Sequence, residues 1–201
     1  MNANTHILNH ELNWVQVGAM KEQSSLIRDA FREQQAERVL LQLGTELYKF
    51  NDVPFLTNRE GALSRWWQPY RPLGHDPGWL QKVQLAKFLK VSIIEYGRVT
   101  SAVKENWNSL EYLLVIALRV PVYAWFGGYA KMARLDEGQT SKRNQSSKDE
   151  KRGGGGWTTI DKSMTGAPSL PGGATQLYIP NLEPHHVAVW RIEDLRNAVQ
   201  P

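Results

Sequence analysis

The amino-acid sequence predicts an α+β fold, with a helical N-terminal half packed on a small mixed or antiparallel sheet, all within a single domain over residues 1–201. Three observations lead there. Apolar residues recur at helical spacing in 20–41, 77–90 and 93–105. Runs rich in β-branched and aromatic residues, bounded by Gly, Pro or Asn, occupy 45–50, 113–126, 174–180 and 187–192. Between the second and third of these runs, residues 134–156 (RLDEGQTSKRNQSSKDEKRGGGG) hold too little apolar surface to offset the entropy of ordering, and predict a flexible, basic, Gly-rich loop.

The elements follow in chain order. In 20–41, Ser24 or Ser25 opens a helix with Leu26, Ile27, Ala30 and Phe31 on one face, and Gly44 ends the pattern. Residues 45–50 (TELYKF) alternate as a half-buried first core strand, closed by Asn51, Asp52 and Pro54. A Trp-containing turn (SRWW) and a Pro/Gly-rich loop (RPLGHDPG) come next. Asp76 and Pro77 then open a helix to about residue 90, with Leu80, Val83, Leu85, Phe88 and Leu89 as its apolar face and Lys82, Lys87 and Lys90 opposite. Ser92 caps a second helix, with Glu95 three residues later completing a capping box. The run 113–126 reads as two strands interrupted at Pro121 rather than one helix. Residues 174–180 and 187–192 are the last strands, before a short helix from Glu193 or Asp194.

Composition narrows the chemistry. The absence of Cys excludes disulfides, thiolate nucleophiles and Cys-based zinc sites. Among five His, only His6 and His10 have helical metal-ligand spacing, and no metal site is expected. No run reaches eighteen apolar residues, so no membrane association is expected and the cytoplasm is the expected location, including a target cell's cytoplasm reached through a secretion machine. Seven Lys or Arg against four Asp or Glu between 131 and 152 account for +3 of the formal +4 charge, leaving the folded body nearly neutral. Phosphate-loop, dinucleotide, nucleophile-elbow and HExxH motifs are all absent.

What remains is an ordered set of short motifs: GTELYKF, then LSRWW, then a late strand QLYIPN. This order resembles the mono-ADP-ribosyltransferase superfamily, which includes many bacterial toxins and effectors. In that family a basic residue ends the first core strand, a Ser- or Tyr-containing element follows, and a late strand carries the catalytic Glu before a hydrophobic-x-Ile-Pro tail. The resemblance implies an ADP-ribosyltransferase-like fold and NAD as co-substrate. It places Tyr48, Lys49, Ser64, Trp66, Trp67 and Tyr178 in cofactor binding and Gln176 at the catalytic Glu position, with Glu183, Glu46 or Glu95 as a nearby acid able to replace it. A carboxylate is needed there because loss of neutral nicotinamide leaves positive charge on the ribose, which an amide cannot oppose. The implied acceptor is a macromolecule, protein or nucleic acid, or water. The alternative is a non-catalytic inhibitor or adaptor that holds a protein or nucleic acid on a Trp-rich surface, drawn from eight Trp in the chain.

Limited trypsin digestion is expected to cut first between Arg134 and Arg152, leaving two fragments that stay associated. Early cleavage elsewhere, with this segment protected, would contradict the loop assignment.

Overall fold

A computed structural model describes residues 7–22, 25–134 and 169–196. The expected loop, Arg134 excepted, lies outside them, as does His6. In chain order the elements are α1 (Trp14–Gly18), β1 (Lys21–Glu22), β2 (Ser25–Leu26), two 3-10 turns (Ile27–Ala30 and Arg32–Gln34), β3 (Glu37–Leu41), β4 (Glu46–Asn51) and β5 (Trp66–Pro69). There follow α2 (Gly78–Phe88), α3 (Ile93–Thr100), β6 (Tyr112–Leu118), β7 (Val122–Gly128), β8 (Met132–Ala133), β9 (Ser169–Leu170), β10 (Thr175–Tyr178) and β11 (Val187–Asp194).

The expected helical N-terminal half is not formed. The core is a seven-stranded sheet of order β11-β6-β4-β5-β10-β7-β3, antiparallel at every pairing. The described part of 20–41, read as one helix, becomes the paired strands β1 and β2, two 3-10 turns and β3, while the expected cap Ser24 lies outside the described residues. Ile27 and Phe31 do share a buried face, which is the periodicity that suggested a helix. Left-handed backbone at Glu33 (φ 56°) and Gln34 (φ 57°) breaks the chain there, and Val39 and its neighbours gain ladder bonds to β7 instead. Edge pairing outweighs a propensity worth only tenths of a kcal/mol per residue.

The sheet must fold on itself, because only residues 119–121 join β6 to β7. Those strands lie four places apart in the sheet order. In a flat sheet that is about 19 Å, whereas four Cα steps reach at most about 14 Å. All seven strands accordingly send residues into one core on the inner face, among them Leu41, Leu47, Trp67, Ile116, Phe126, Leu177 and Val187.

The outer face carries two further clusters. Helices α2 and α3 cover Tyr48, Phe50, Leu113 and Val115, while the N-terminal segment covers Trp125 and Tyr178 with Val17, Ile27 and Phe31. Helix α2 is rotated relative to the expected face: Trp79, Lys82 and Ala86 point inward, and Leu80 and Phe88 are exposed. Ser92 caps α3 as expected, accepting from the Glu95 amide at 3.1 Å, but the Glu95 carboxylate binds Arg134 at 2.7 Å instead of closing a capping box. Arg134, placed in the solvated loop by sequence, is thus a buried ion-pair residue. The strands on either side of Pro121 form as expected. In place of the expected C-terminal helix, β11 runs to Asp194.

Gly97 sets how closely α3 lies on β4, since a Cβ there would sit 2.4 Å from the Phe50 ring. Gly97→Ala is expected to destabilise by about 1–3 kcal/mol through overpacking, despite a helix-propensity gain of about 1 kcal/mol. Urea denaturation checks this, and Phe50→Leu in the same chain should recover most of the loss.

Candidate functional site

β5 lies between β4 and β10 and is antiparallel to both, so the C-terminal ends of β4 and β10 and the N-terminal end of β5 share one edge of the sheet. Their loops and β1 line an open polar cavity of about 840 Å³. Its cations are Lys21, Lys49 and Arg65, its carboxylates Glu22, Asp52, Glu60 and Glu183, and Ser64 and Phe55 also line it. Three residues expected from sequence, Lys49, Ser64 and Glu183, therefore meet here from three separate segments.

Lys49 leaves β4 toward the inner face, on the same side as Leu47. Its ammonium has no hydrogen-bond or ion-pair partner among the described residues, and burial pushes its pKa down from 10.5 to about 8, against the attraction of Asp52 and Glu22. Ser64 makes a local turn, its Oγ accepting from the Trp66 amide at 3.2 Å. Glu183 stands at the mouth, its side chain 64% exposed and 3.4 Å from His185.

Glu22, unremarked in the sequence, is better held. The Trp66 indole N–H donates to its Oε2 at 2.8 Å, so a half-buried carboxylate is fixed at the cavity wall. No local motif could have found it, because the contact spans 44 positions in a segment read as a helix. Trp66 itself packs on Tyr178 (4.7 Å between ring centroids) and Phe31, so it orients Glu22 rather than stacking on a ligand. Phe55, largely exposed at the rim, is the aromatic ring free to stack.

The other expected residues lie elsewhere. Trp67 belongs to the inner core, its indole N–H donating to the Ser64 carbonyl at 2.8 Å. Gln176 is on the outer face, 2% exposed, donating from Nε2 to the Ala30 carbonyl at 2.6 Å. The period-two alternation of strands explains the split, because Gln176 and Tyr178 face away from Leu177 and the inner core. Tyr178 lies beneath the N-terminal segment, where its hydroxyl and the Trp125 indole N–H are buried without a partner among the described residues.

Tyr48 also faces outward, at the seam between the helices and the N-terminal segment. Across this seam Tyr48, Gln68 and Gln176 are in register on adjacent strands: Tyr48 opposes Gln68, and pairing of Leu177 with Trp67 sets Gln176 opposite Gln68. The Tyr48 hydroxyl donates to Gln68 Oε1 at 2.8 Å, and Gln68 Nε2 donates to Ser101 at 3.0 Å. The Lys82 ammonium uses its three protons on Asp76 (2.7 Å), Tyr48 and Gln68 (both 3.3 Å). Asp76 also accepts from the Gly78 amide and the Thr175 hydroxyl. Such a fully satisfied buried network fixes geometry but offers no open position to a ligand.

Comparison with known families, curated proteins and solved structures finds no match. No helix among the described residues is long and apolar enough to cross a membrane.

Lys49 carries a stability cost with a defined sign. Its folded pKa lies below its unfolded value, so the unfolded chain binds more protons between about pH 8 and 10.5, and stability rises through that window. Lys49→Met is expected to stabilise the protein at pH 7 by on the order of 3 kcal/mol, the advantage closing as pH approaches 10.5. Urea midpoints of both proteins across this range check it.

Proposed function

We propose that the protein is an NAD-dependent mono-ADP-ribosyltransferase-like effector or toxin, transferring ADP-ribose to a macromolecular target or to water at the polar cavity. The observation that carries this reading is the meeting of Lys49, Ser64 and Glu183 with Glu22 in one cavity. Its volume falls within the range of small-molecule and cofactor sites. The residues fit the chemistry of the co-substrate. Lys49, with Arg65 and Lys21, supplies positive charge for the pyrophosphate, Phe55 a face for a planar ring, and Glu22 or Glu183 a carboxylate for the ribose.

In the reaction the ribose–nicotinamide bond breaks, the bonding pair leaves with neutral nicotinamide, and the acceptor forms the new bond at the same carbon while losing its proton. A carboxylate facing the ribose stabilises the charge that develops between these events. Glu22 suits this task better than Glu183, because the Trp66 hydrogen bond pre-orients it and half-burial strengthens its field. Gln176 has no reacting role in this reading, being an amide turned to the opposite face.

Nicotinamide release from NAD is the direct assay. Glu22→Gln is expected to lower turnover by about 100-fold or more, the usual effect of losing a group aimed at the transition-state charge, and Glu183→Gln by much less. If millimolar NAD neither changes Trp fluorescence nor is consumed, with or without candidate acceptors, the reading fails and the non-catalytic binding alternative replaces it.

A further inference from the structure

The edge strand β11 holds a feature independent of the cavity. Val189 opposes Ile116 and Arg191 opposes Val115, so Trp190 is an extra residue in the ladder, a β-bulge. Bulges re-aim side chains. Here the bulge turns Trp190 outward, half exposed, where Tyr70 meets it edge-to-face at 5.2 Å. Arg71 and Arg191 bracket the pair, each guanidinium within 5.5 to 6.0 Å of both rings.

These arginines are positioned rather than consumed. Arg191 donates to the Tyr70 hydroxyl at 2.7 Å and lies 3.4 Å from Glu193, while Arg71 binds Glu46 through Nε at 2.7 Å. The side chain of Arg71 remains 68% exposed and that of Arg191 42%. One carboxylate per arginine holds each guanidinium plane beside the rings and leaves outward N–H groups toward solvent. An exposed indole between two such forks offers what a single-stranded nucleic acid needs: a face for a base and donors for the flanking phosphates.

We propose that Trp190, Tyr70, Arg71 and Arg191 form a stacking platform for single-stranded nucleic acid. The proposal does not rest on the NAD reading. Because Glu46 and Glu193 balance the arginines locally, stacking carries the affinity, and at most two phosphates are neutralised. Binding on this platform has a shallow salt dependence, with a log–log slope no steeper than about −1.4 for single strands.

The test is fluorescence anisotropy of a labelled single-stranded oligonucleotide titrated with the full chain over a range of salt. Trp190→Ala is expected to weaken binding about 10-fold or more, whereas Trp190→Phe, which keeps an aromatic face, stays within about threefold. Arg71→Ala and Arg191→Ala should each weaken it several-fold and flatten the salt slope. Matching thermal midpoints for Trp190→Ala, Trp190→Phe and the parent exclude a folding effect. Unchanged affinity in Trp190→Ala, no binding at roughly 100 µM protein, or a steep slope abolished by deleting residues 138–152 would each overturn the platform, as would capture of a proline-rich peptide in place of the oligonucleotide.

Discussion

The three-residue link between β6 and β7 constrains everything else in the fold. Residues 119–121 cannot span three intervening strands of a flat sheet, so the sheet curls until these two strands approach at its closed end. Pro121 suits that position because it needs no ladder donor and ends β6 without competing for a hydrogen bond. The turn is tied down on both sides: the Arg119 amide donates to the His186 carbonyl at 2.8 Å, and the Leu8 amide to the Pro121 carbonyl at 3.0 Å. Curling gives the inner face enough apolar density for a core without a covering helix. At the opposite strand ends, antiparallel pairing of β5 with its neighbours β4 and β10 places the loops after β4 and β10 beside the start of β5 around the cavity.

The outer face is too broad for one cover. Helices take the half formed by β4, β5 and β6, and the N-terminal segment takes the half around β7 and β10. Gly127 permits the second contact, since a Cβ there would sit 2.8 Å from Phe31 and 2.9 Å from the Gln35 carbonyl. Between the two covers the sheet presents Tyr48, Gln68 and Gln176, and the fold meets this polar row with Asp76, Lys82, Ser101 and the Ala30 carbonyl. A buried pair such as Asp76 and Lys82 contributes little net stability over an apolar substitute, but losing one partner would cost about 3–5 kcal/mol. Its effect is to fix the docking angle of α2 against the sheet. The helix is consequently turned with a lysine inward and Leu80 and Phe88 outward.

That rotation shows where sequence reasoning reached its limit. The strands at 45–50, 113–126, 174–180 and 187–192 were legible because alternation, β-branching and Pro121 are local signals. The segment 20–41 was misread because Ile27 and Phe31 sit four apart, a spacing that turns wrapping a sheet can satisfy as well as a helix. In α2, apolar periodicity pointed to the wrong face, since a lysine satisfied by Asp76, Tyr48 and Gln68 is as buried as a leucine. At the cavity, Lys49 and Ser64 come from the ordered motifs, and Glu183, raised only as a nearby acid, follows the last of them. Glu22 was not legible, because its role depends on a long-range bond to Trp66.

Energetics separate the cavity from the seam. Every proton of Lys82 has an acceptor, so its burial is compensated. Lys49 stays protonated at pH 7 although burial lowers its pKa to about 8, and it has no direct partner among the described residues, a cost that an apolar residue would remove. A fold that tolerates this cost at the end of a core strand keeps a cation ready for an anion, whose arrival would raise the Lys49 pKa and recover the lost free energy as binding affinity. Glu22 also lines the cavity, its Oε2 held by the Trp66 indole N–H at 2.8 Å. The cavity thus lines up cations and carboxylates without a direct ion pair between Lys49 and Glu22 among the described residues, unlike the seam, where Lys82 and Asp76 pair at 2.7 Å.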